Sequence, residues 1–563
     1  MRVHLLFYGL VLILLGACTA EEEPQAPALP QPDADHGGIV VPDDFGAVVV
    51  IDTIGRGRHV AIRDNGDVYL MLRRLSNEKG LMALRDTTGD GRADIIEGFS
   101  TATGTEVEIY DNYLYFSSNQ HVFRAPLVEG QLLPENQIDT LIEFPEETTR
   151  GHSSKSFTFD GQGNIYVNVG SRSNACQEEA RTKGSKGVDP CPELPSRAAI
   201  WQFELKPEKQ LQEEGKPYAT GIRNTVGLDW NFTSNKLYVT QHGRDDLFRF
   251  WPEYYSDAES REIPAEEFLL VEEGDDYGWP YCYYDQYQGK KMLAPEYGGD
   301  GKTQGRCEGI KQPLVAFPGH YGPNDLLFYT GDMFPERYKN GAFIAFHGSW
   351  NRINYAQAGF LVAFVPMQDG QPSGDWEIFA DGFIGQDSIR NPGKAEFRPT
   401  GLAQGPDGSL YISDSQQGRV WRILYYGEDS GISSKAVQAV AQQQAKEEAQ
   451  AALSGVMAQG QKVYQMHCLA CHMDNGKGVP GMNPPIAGTD WVTGDKERLI
   501  KVILEGMNEP IEINGETYQN AMASLSYLSD KEIAQVLTYI RNSFGNEASA
   551  VTEEEVADVR EES

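Results

Sequence analysis

Basic residues are scarce in this 563-residue chain: 48 Lys and Arg face 82 Asp and Glu, for a formal charge of −34. A surface of that sign repels a phosphate backbone, so nucleic acid is excluded as a partner, and the ordinary consequence of the charge is a well-solvated protein. Long apolar runs are missing as well. The N-terminal stretch from Leu5 to Leu15 is too short for a spanning helix and has the length of a signal-peptide core. Cysteine is limited to seven residues, and once each has an assignment no thiol is spare for metal or nucleophilic work.

What is present is one dense motif near the C-terminus, Cys468-Leu469-Ala470-Cys471-His472. Its spacing lets two thiols take up the vinyl groups of one haem while the adjacent imidazole ligates the iron. A zinc site would need a second ligand pair, and none lies nearby. A disulfide oxidoreductase would need a βαβ setting, whereas the flanks read as helix, loop, helix.

Small residues precede Cys18 in Leu15-Gly16-Ala17-Cys18, as in a lipoprotein cleavage box, against an ordinary leader with a chance cysteine. Residues 1–17 are then a leader, Cys18 the lipidated first residue, and the protein exported and anchored to a bacterial membrane, periplasmic or at the cell surface. With Cys18 on lipid and Cys468 and Cys471 on haem, Cys176 with Cys191 and Cys282 with Cys307 remain. In an oxidising compartment two local disulfides are the simplest pairing.

Residues 18–44 are rich in Glu, Pro and Ala and read as a semi-extended tether. From 45 to 427 a turn of Asp, Asn and Gly recurs before an apolar strand with Tyr. It appears at Asp64–Tyr69, Asp111–Tyr115, Asp160–Tyr166, Asn235–Tyr238 and Asp407–Tyr411, and Gly341–Phe346 fits a sixth unit. Short strands at irregular repeats of this length predict a six-bladed β-propeller. A sandwich would need fewer strands, and a solenoid a stricter period.

His152, Arg223 and Arg398 stand 14, 15 and 13 residues before Tyr166, Tyr238 and Tyr411. Near-equal offsets place them at one level of three blades, converging on one mouth of the central channel, where a polar cluster is the default active site. Each alone would be read as a turn cap. Asp86, Thr88, Asp90, Gly91, Asp94 and Glu97 fall at positions 1, 3, 5, 6, 9 and 12 of a calcium-loop pattern, with a metal-free acidic turn as the equal alternative.

Residues 428–454 read as a helical linker and 455–546 as a small all-α haem domain. Its last helix has a capping box at Ser529 and Glu532. Residues 547–563 form an acidic tail, read as disordered. Opposite His472 the iron needs a second ligand: Met522, before the final helix, is favoured, with Met482 the runner-up and Met466, Met473 and Met507 disfavoured by reach.

The C-terminal region resembles class I cytochrome c domains through Cys468, Cys471, His472, Pro484-Pro485 and Met522. The region before it resembles the soluble quinoprotein sugar dehydrogenases, including glucose- and sorbosone-dehydrogenase-like proteins. The carrying segments are Gly151-His152, Gly221-Ile222-Arg223-Asn224, Tyr277-Gly278-Trp279-Pro280, His347–Arg352 and Arg398-Pro399-Thr400. That resemblance implies pyrroloquinoline quinone (PQQ) and Ca²⁺ at the propeller mouth. It implies His152 as general base, Arg223, Asn224, Arg398 and more loosely Arg352 on the quinone, and the backbone oxygens of Gly278 and Pro280 on Ca²⁺. One departure stands out. Glucose-dehydrogenase-like members orient the base with a carboxylate where this chain reads Gly170-Ser171-Arg172-Ser173-Asn174, which points to the sorbosone- or pyranose-dehydrogenase-like branch.

The implied activity is oxidation of a sugar or polyol, with electrons passed to the haem and on to an external cytochrome or respiratory acceptor. The alternatives are a non-enzymatic electron-transfer lipoprotein whose propeller only docks a partner, and a Ca²⁺-dependent hydrolase, which would have no use for the haem.

Overall fold

The computed structural model describes residues 29–352, 354–427 and 456–562. Cys18, the leader, the first part of the tether and the linker lie outside the described residues. The chain divides into two compact units, meeting in sequence near residue 437.

The first unit is a ring of six sheets, each with four antiparallel strands, to one of which, blade 2, the short strand Gln210–Leu211 adds a fifth in parallel. Blade 1 comprises Gly57–Ile62, Val68–Ser76, Lys79–Arg85 and Ile95–Phe99; blade 2, Val107–Tyr110, Tyr113–Ser117, His121–Pro126 and Asp139–Glu143; blade 3, Phe157–Phe159, Asn164–Val169, Ala199–Glu204 and Lys216–Thr220. Blade 4 holds Thr225–Asn231, Lys236–Gln241, Glu266–Val271 and Val315–Phe317; blade 5, Pro323–Phe328, Ala342–Phe346, Leu361–Val365 and Glu377–Ala380. Blade 6 takes Pro399–Gln404, Leu410–Asp414 and Val420–Tyr425 from the end of the unit and Phe45–Ile51 from its start. The pairing of Phe45 with Tyr425 and Val49 with Trp421 closes the ring, which leaves no blade with a free flank.

The recurring aromatic explains the ring. In each blade's second strand one side chain, Tyr69, Tyr115, Tyr166, Tyr238, Phe343 or Tyr411, packs in the layer shared with the next blade. Neighbours in the strand face the other way: Val68, Leu70 and Leu72 pack towards blade 6 while Tyr69 and Met71 pack towards blade 2. Period-two alternation with both faces apolar is what a sheet buried on two sides requires.

Residues 29–44 depart from the tether reading. Asp33 N–H donates to Ala47 O at 2.8 Å, Val40 bridges Asp381, and Ile39 is buried in the layer between blades 5 and 6. One apolar anchor and a few backbone bonds suffice to fix an extended Pro-rich segment to a surface.

The second unit has a helix over residues 456–467, then Leu469–His472, Lys496–Glu505 and Asp530–Arg541. The tail is not disordered. Glu553–Glu562 is helical, with Val551, Val556 and Val559 buried in the core formed by Ile500, Ile533 and Leu537. Thr552 and Glu555 exchange capping bonds at its start, and the three acidic residues of its first turn complement the helix dipole. Charge density concealed a short amphipathic helix. Among the described residues no helix is long and apolar enough to cross a membrane.

Candidate active site and haem-binding cavity

Two sets of loops meet at one end of the propeller channel. One set joins the outer strand of a blade to the inner strand of the next and carries His152, Arg223, Asn224, His320 and Arg398. The other follows each blade's second strand and carries Ser171, His242, Gly243, His347 and Gly348. Together they enclose a cavity of about 580 Å³ lined by His152, Arg223, Asn224 and Arg398 with Arg58, Arg73, Arg181 and Asp245.

His152 Nδ1 lies 2.9 Å from both the carbonyl and the hydroxyl oxygen of Ser171. A carbonyl only accepts, so Nδ1 carries the proton and Nε2 keeps its lone pair. Burial first, then Arg223, hold the imidazole well below its ordinary pKa and keep it neutral. Gly170 makes the position possible, because a Cβ there would stand 2.7 Å from that of His152.

Arg223 spends four N–H groups on the protein: on Asn174 O (3.2 Å) and Oδ1 (2.9 Å), Gly243 O (3.0 Å) and Asp245 (3.1 Å). Against the cost of burial, Arg223, His320 and Arg181 hold Asp245 down at about 2. Glu266 goes the other way. Burial pushes it up to about 8, so it is a neutral acid at pH 7.

Arg58, Arg73 and Arg398 have no carboxylate within ion-pair distance among the described residues. Burial, together with Arg73 and Arg398, lowers Arg58 to about 9, and its Nε has no partner. The Asn224 Oδ1 acceptor is also buried and unused. Guanidinium groups without ion-pair partners suit an anionic ligand, and the free amide oxygen suits a hydrogen-bond donor on it.

One residue further along the inner strands, His59 closes the floor. It reaches Glu106 at 2.8 Å and the carbonyl of Asn324 at 2.7 Å, tying blade 1 to blade 5. Despite burial, Asp325 and Glu106 raise it to about 9.

In the helical unit Cys468, Cys471 and His472 line a second cavity of about 300 Å³ with Met507, Met522, Ile503 and Leu537. His472 Nδ1 lies 3.0 Å from Pro484 O, so Nδ1–H donates and Nε2 is free for a metal. Met482 is outside this lining and 53 % exposed.

A TrAA12-like family model matches residues 39–426. The chain belongs to the TrAA12-like family. A cytochrome c model matches residues 457–544, and a cytochrome c domain implies haem c. The TrAA12-like chain is 22 % identical over 466 residues to a pyrroloquinoline quinone-dependent sugar dehydrogenase of Hypocrea jecorina, covering 76 % of this chain and 98 % of that one. Its C-terminal part is 40 % identical over 98 residues to cytochrome c-552 of Thermus thermophilus, 17 % of this chain and 66 % of that one. In fold it resembles the calcium structure of a Trichoderma reesei family AA12 enzyme, with TM-score 0.56 and 17 % identity, covering 71 % of this chain and 98 % of that one. It also resembles the holo PQQ domain of pyranose dehydrogenase from Coprinopsis cinerea, with TM-score 0.55 and 18 % identity, covering 71 % and 99 %. Both resemblances drawn from the motifs hold, as does the six-bladed propeller with a small helical cytochrome c domain.

Within the TrAA12-like unit, three sets of sequence-assigned residues stand outside the cavity lining. Arg352 does not line the cavity. Its guanidinium pairs with Glu262 at 2.9 Å and bonds Gly319 O, so it braces the loop that carries Trp350. Gly278 and Pro280 are not part of the lining either: Gly278 O accepts from Cys282 N at 2.9 Å, and Trp279 Nε1 donates to Asn174 O at 3.0 Å. That turn supports Asn174, which in turn holds Arg223. Asp86, Asp90, Asp94 and Glu97 do not converge, since no three of them bring oxygen atoms within 4.8 Å of one another. Asp86 accepts from Thr88, Gly89 and Gly91 N–H, and Asp94 from Thr87, which is an acidic turn.

The disulfides Cys176–Cys191 and Cys282–Cys307 form as expected. Sequence reasoning missed Arg58, His242 and His320, and read His347 only as part of the segment His347–Arg352. The histidine pair had a readable signal, His-Gly directly after the second strand in both Gln241-His242-Gly243 and Phe346-His347-Gly348.

Proposed function

We propose that the protein is a quinohaemoprotein dehydrogenase, a PQQ-dependent enzyme that oxidises a sugar or related alcohol and delivers the electrons to its own c-type haem. The observation that carries this reading is one cavity holding both a neutral, oriented imidazole and three guanidinium groups without counter-ions.

Arg58, Arg73 and Arg398 bind the carboxylates of the quinone, and Asn224 with the remaining N–H of Arg223 fixes its orientation. When bound, the quinone supplies a two-electron acceptor for the hydride of the carbon bearing the hydroxyl group. His152 Nε2 removes the hydroxyl proton, and the resulting imidazolium is held by Ser171 through Nδ1–H. Trp350, 58 % exposed on the rim, offers a ring face to a pyranose. The Ca²⁺ that accompanies such a quinone would be held by carbonyl oxygens, with those of Gly278 and Pro280 as the candidates, Pro280 lining a small cavity with Asn174 and Arg223.

Cys468 and Cys471 attach the haem, His472 and Met522 hold its iron, and the electrons leave singly to an external cytochrome or respiratory acceptor. Cys18 provides the membrane anchor. The test is to load the purified protein with PQQ and Ca²⁺ and follow haem absorbance across a panel of aldoses. Reduction by a subset of sugars is expected. A haem that stays oxidised across the panel, with no quinone bound, overturns the proposal.

A further inference from the structure

We propose that Glu193 is a positioning residue that supplies, through the Ser171–Arg172 peptide, the negative charge backing His152. The inference rests on His152 acting as the base, as proposed above.

The segment Gly170–Asn174 contains no carboxylate beside His152, yet the base is not left unsupported. Ser171 is fully buried, its backbone N–H donating to Arg223 O at 2.7 Å and its hydroxyl to Ser173 O at 2.7 Å. That leaves the Ser171 oxygen atoms to accept from His152 Nδ1–H. Glu193 then collects the next layer of donors: Ser173 Oγ–H at 2.5 Å, Arg172 N–H at 2.6 Å and Ser173 N–H at 3.2 Å. The Ser171 carbonyl that accepts from His152 and the Arg172 N–H that donates to Glu193 belong to one peptide group, so a single carboxylate ends the line from His152 through the Ser171–Arg172 peptide to Glu193.

The anchor is itself fixed twice. Cys191, two residues before Glu193, is bonded to Cys176, whose N–H donates to Ser173 Oγ at 2.9 Å. Arg197, 4 % exposed, donates its backbone N–H to Glu193 O at 2.9 Å and its guanidinium to Gly170 O at 2.8 Å and Arg150 O at 2.7 Å. The segment therefore clamps both strands of chain that flank the imidazole.

When Nε2 takes the substrate proton, the Nδ1 proton stays in place and its bond to Ser171 becomes charge-assisted. Of the charged groups facing His152, Arg223 opposes the imidazolium and Asp245 favours it, while His242 is lowered to about 4 and is neutral at working pH. Glu193 and Glu147 favour the charge of Arg197, and Arg172 opposes it. With one group opposing and one favouring the imidazolium, a carboxylate beyond the Ser171–Arg172 peptide shifts the balance towards the protonated base.

The experiment is histidine-selective NMR on the full-length holoprotein, reading the tautomer and titration of His152, together with the pH profile of sugar-driven haem reduction. Glu193→Gln is expected to lower the His152 titration point and to cut kcat roughly 10-fold with little change in KM. Glu193→Asp, which keeps the charge, recovers most of both. Ser171→Asp, with a carboxylate placed directly on the imidazole, is expected to raise the titration point and to make a second Glu193→Gln substitution silent. If Glu193→Gln changes only thermal stability and leaves the His152 tautomer, titration and acid limb as in wild type, the relay is wrong. If His152 responds as expected while no sugar reduces the haem, the relay stands and the sugar-dehydrogenase reading falls.

Discussion

Met507 and Met522 exchange both of their backbone hydrogen bonds, Met507 N–H to Met522 O at 2.9 Å and Met522 N–H to Met507 O at 2.7 Å. Two thioethers therefore line the cavity that holds His472. Met522 precedes the final helix in an irregular segment that can place sulfur over the iron, whereas Met507 follows the Lys496–Glu505 helix. Met522→Ala should abolish the methionine–iron charge-transfer band and lower the reduction potential, while Met507→Leu keeps both. Optical spectra and redox titration of the two variants decide it; the opposite pattern would assign Met507 to the iron.

Arg58 sits at a cost in the unliganded cavity, since burial, Arg73 and Arg398 all oppose its charge. Arg58→Met should raise the unfolding temperature of the quinone-free protein and weaken quinone binding by about 10- to 100-fold, the loss expected for one charge-assisted contact. Calorimetry and quinone titration read the two effects separately. A variant that binds quinone as well as wild type removes Arg58 from the site.

For His152 the prediction concerns pH as well as rate. Its pKa lies well below the ordinary 6.5 because of burial and Arg223, so the base stays competent into mildly acidic solution. Turnover should persist below pH 6.5, where an ordinary imidazole would already be protonated, and His152→Ala should cost roughly 10²- to 10⁴-fold in kcat/KM with quinone affinity retained. Steady-state haem reduction from pH 4.5 to 8 checks both.

Glu266 ties stability to pH with a definite sign. The unfolded chain releases this proton near 4.5, while the folded chain holds it to about 8. Between those values the folded state binds more protons, so its contribution is complete at low pH and is lost as pH rises. Glu266→Gln should flatten that fall, its advantage over wild type growing towards pH 8 by at most about 1.4 kcal/mol per pH unit. His242, lowered to about 4 by burial and Arg223, works in the opposite sense and loses stability as pH drops below 6.5. Denaturant unfolding at pH 5, 6.5 and 8 separates the two.

The C-terminal helix should be part of the cytochrome unit's stability. Val556 is fully buried against the core, and Val556→Ala should cost on the order of 2 kcal/mol, with deletion of residues 547–563 costing more. Thermal unfolding followed at the haem band measures it. An unchanged midpoint would show that the helix does not support the core.

Much of this protein was legible because its signals are local. Cys468, Cys471 and His472 fall within five residues, the Cys pairs lie 15 and 25 residues apart, and each blade announces itself by a turn followed by an apolar strand. Equal offsets from that strand were enough to bring His152, Arg223 and Arg398 to one cavity. The fate of the calcium-loop pattern was not legible: whether Asp86 turns its oxygen atoms to a metal or to its own loop depends on which N–H groups reach it, and here those of Thr88, Gly89 and Gly91 do.

The amino-acid sequence by itself determined the haem attachment, the repeating blades and the level of the blade at which the chemistry stands, because each depends on contacts within a few tens of residues. Ring closure decided the rest. Only when Phe45–Ile51 pairs with Val420–Tyr425 do Arg58 and Arg398, 340 positions apart, share one cavity and lose their counter-ions. Likewise, only the packing of Val551 and Val556 turns an acidic tail into a helix, because burial, and not composition, supplies the free energy that orders it.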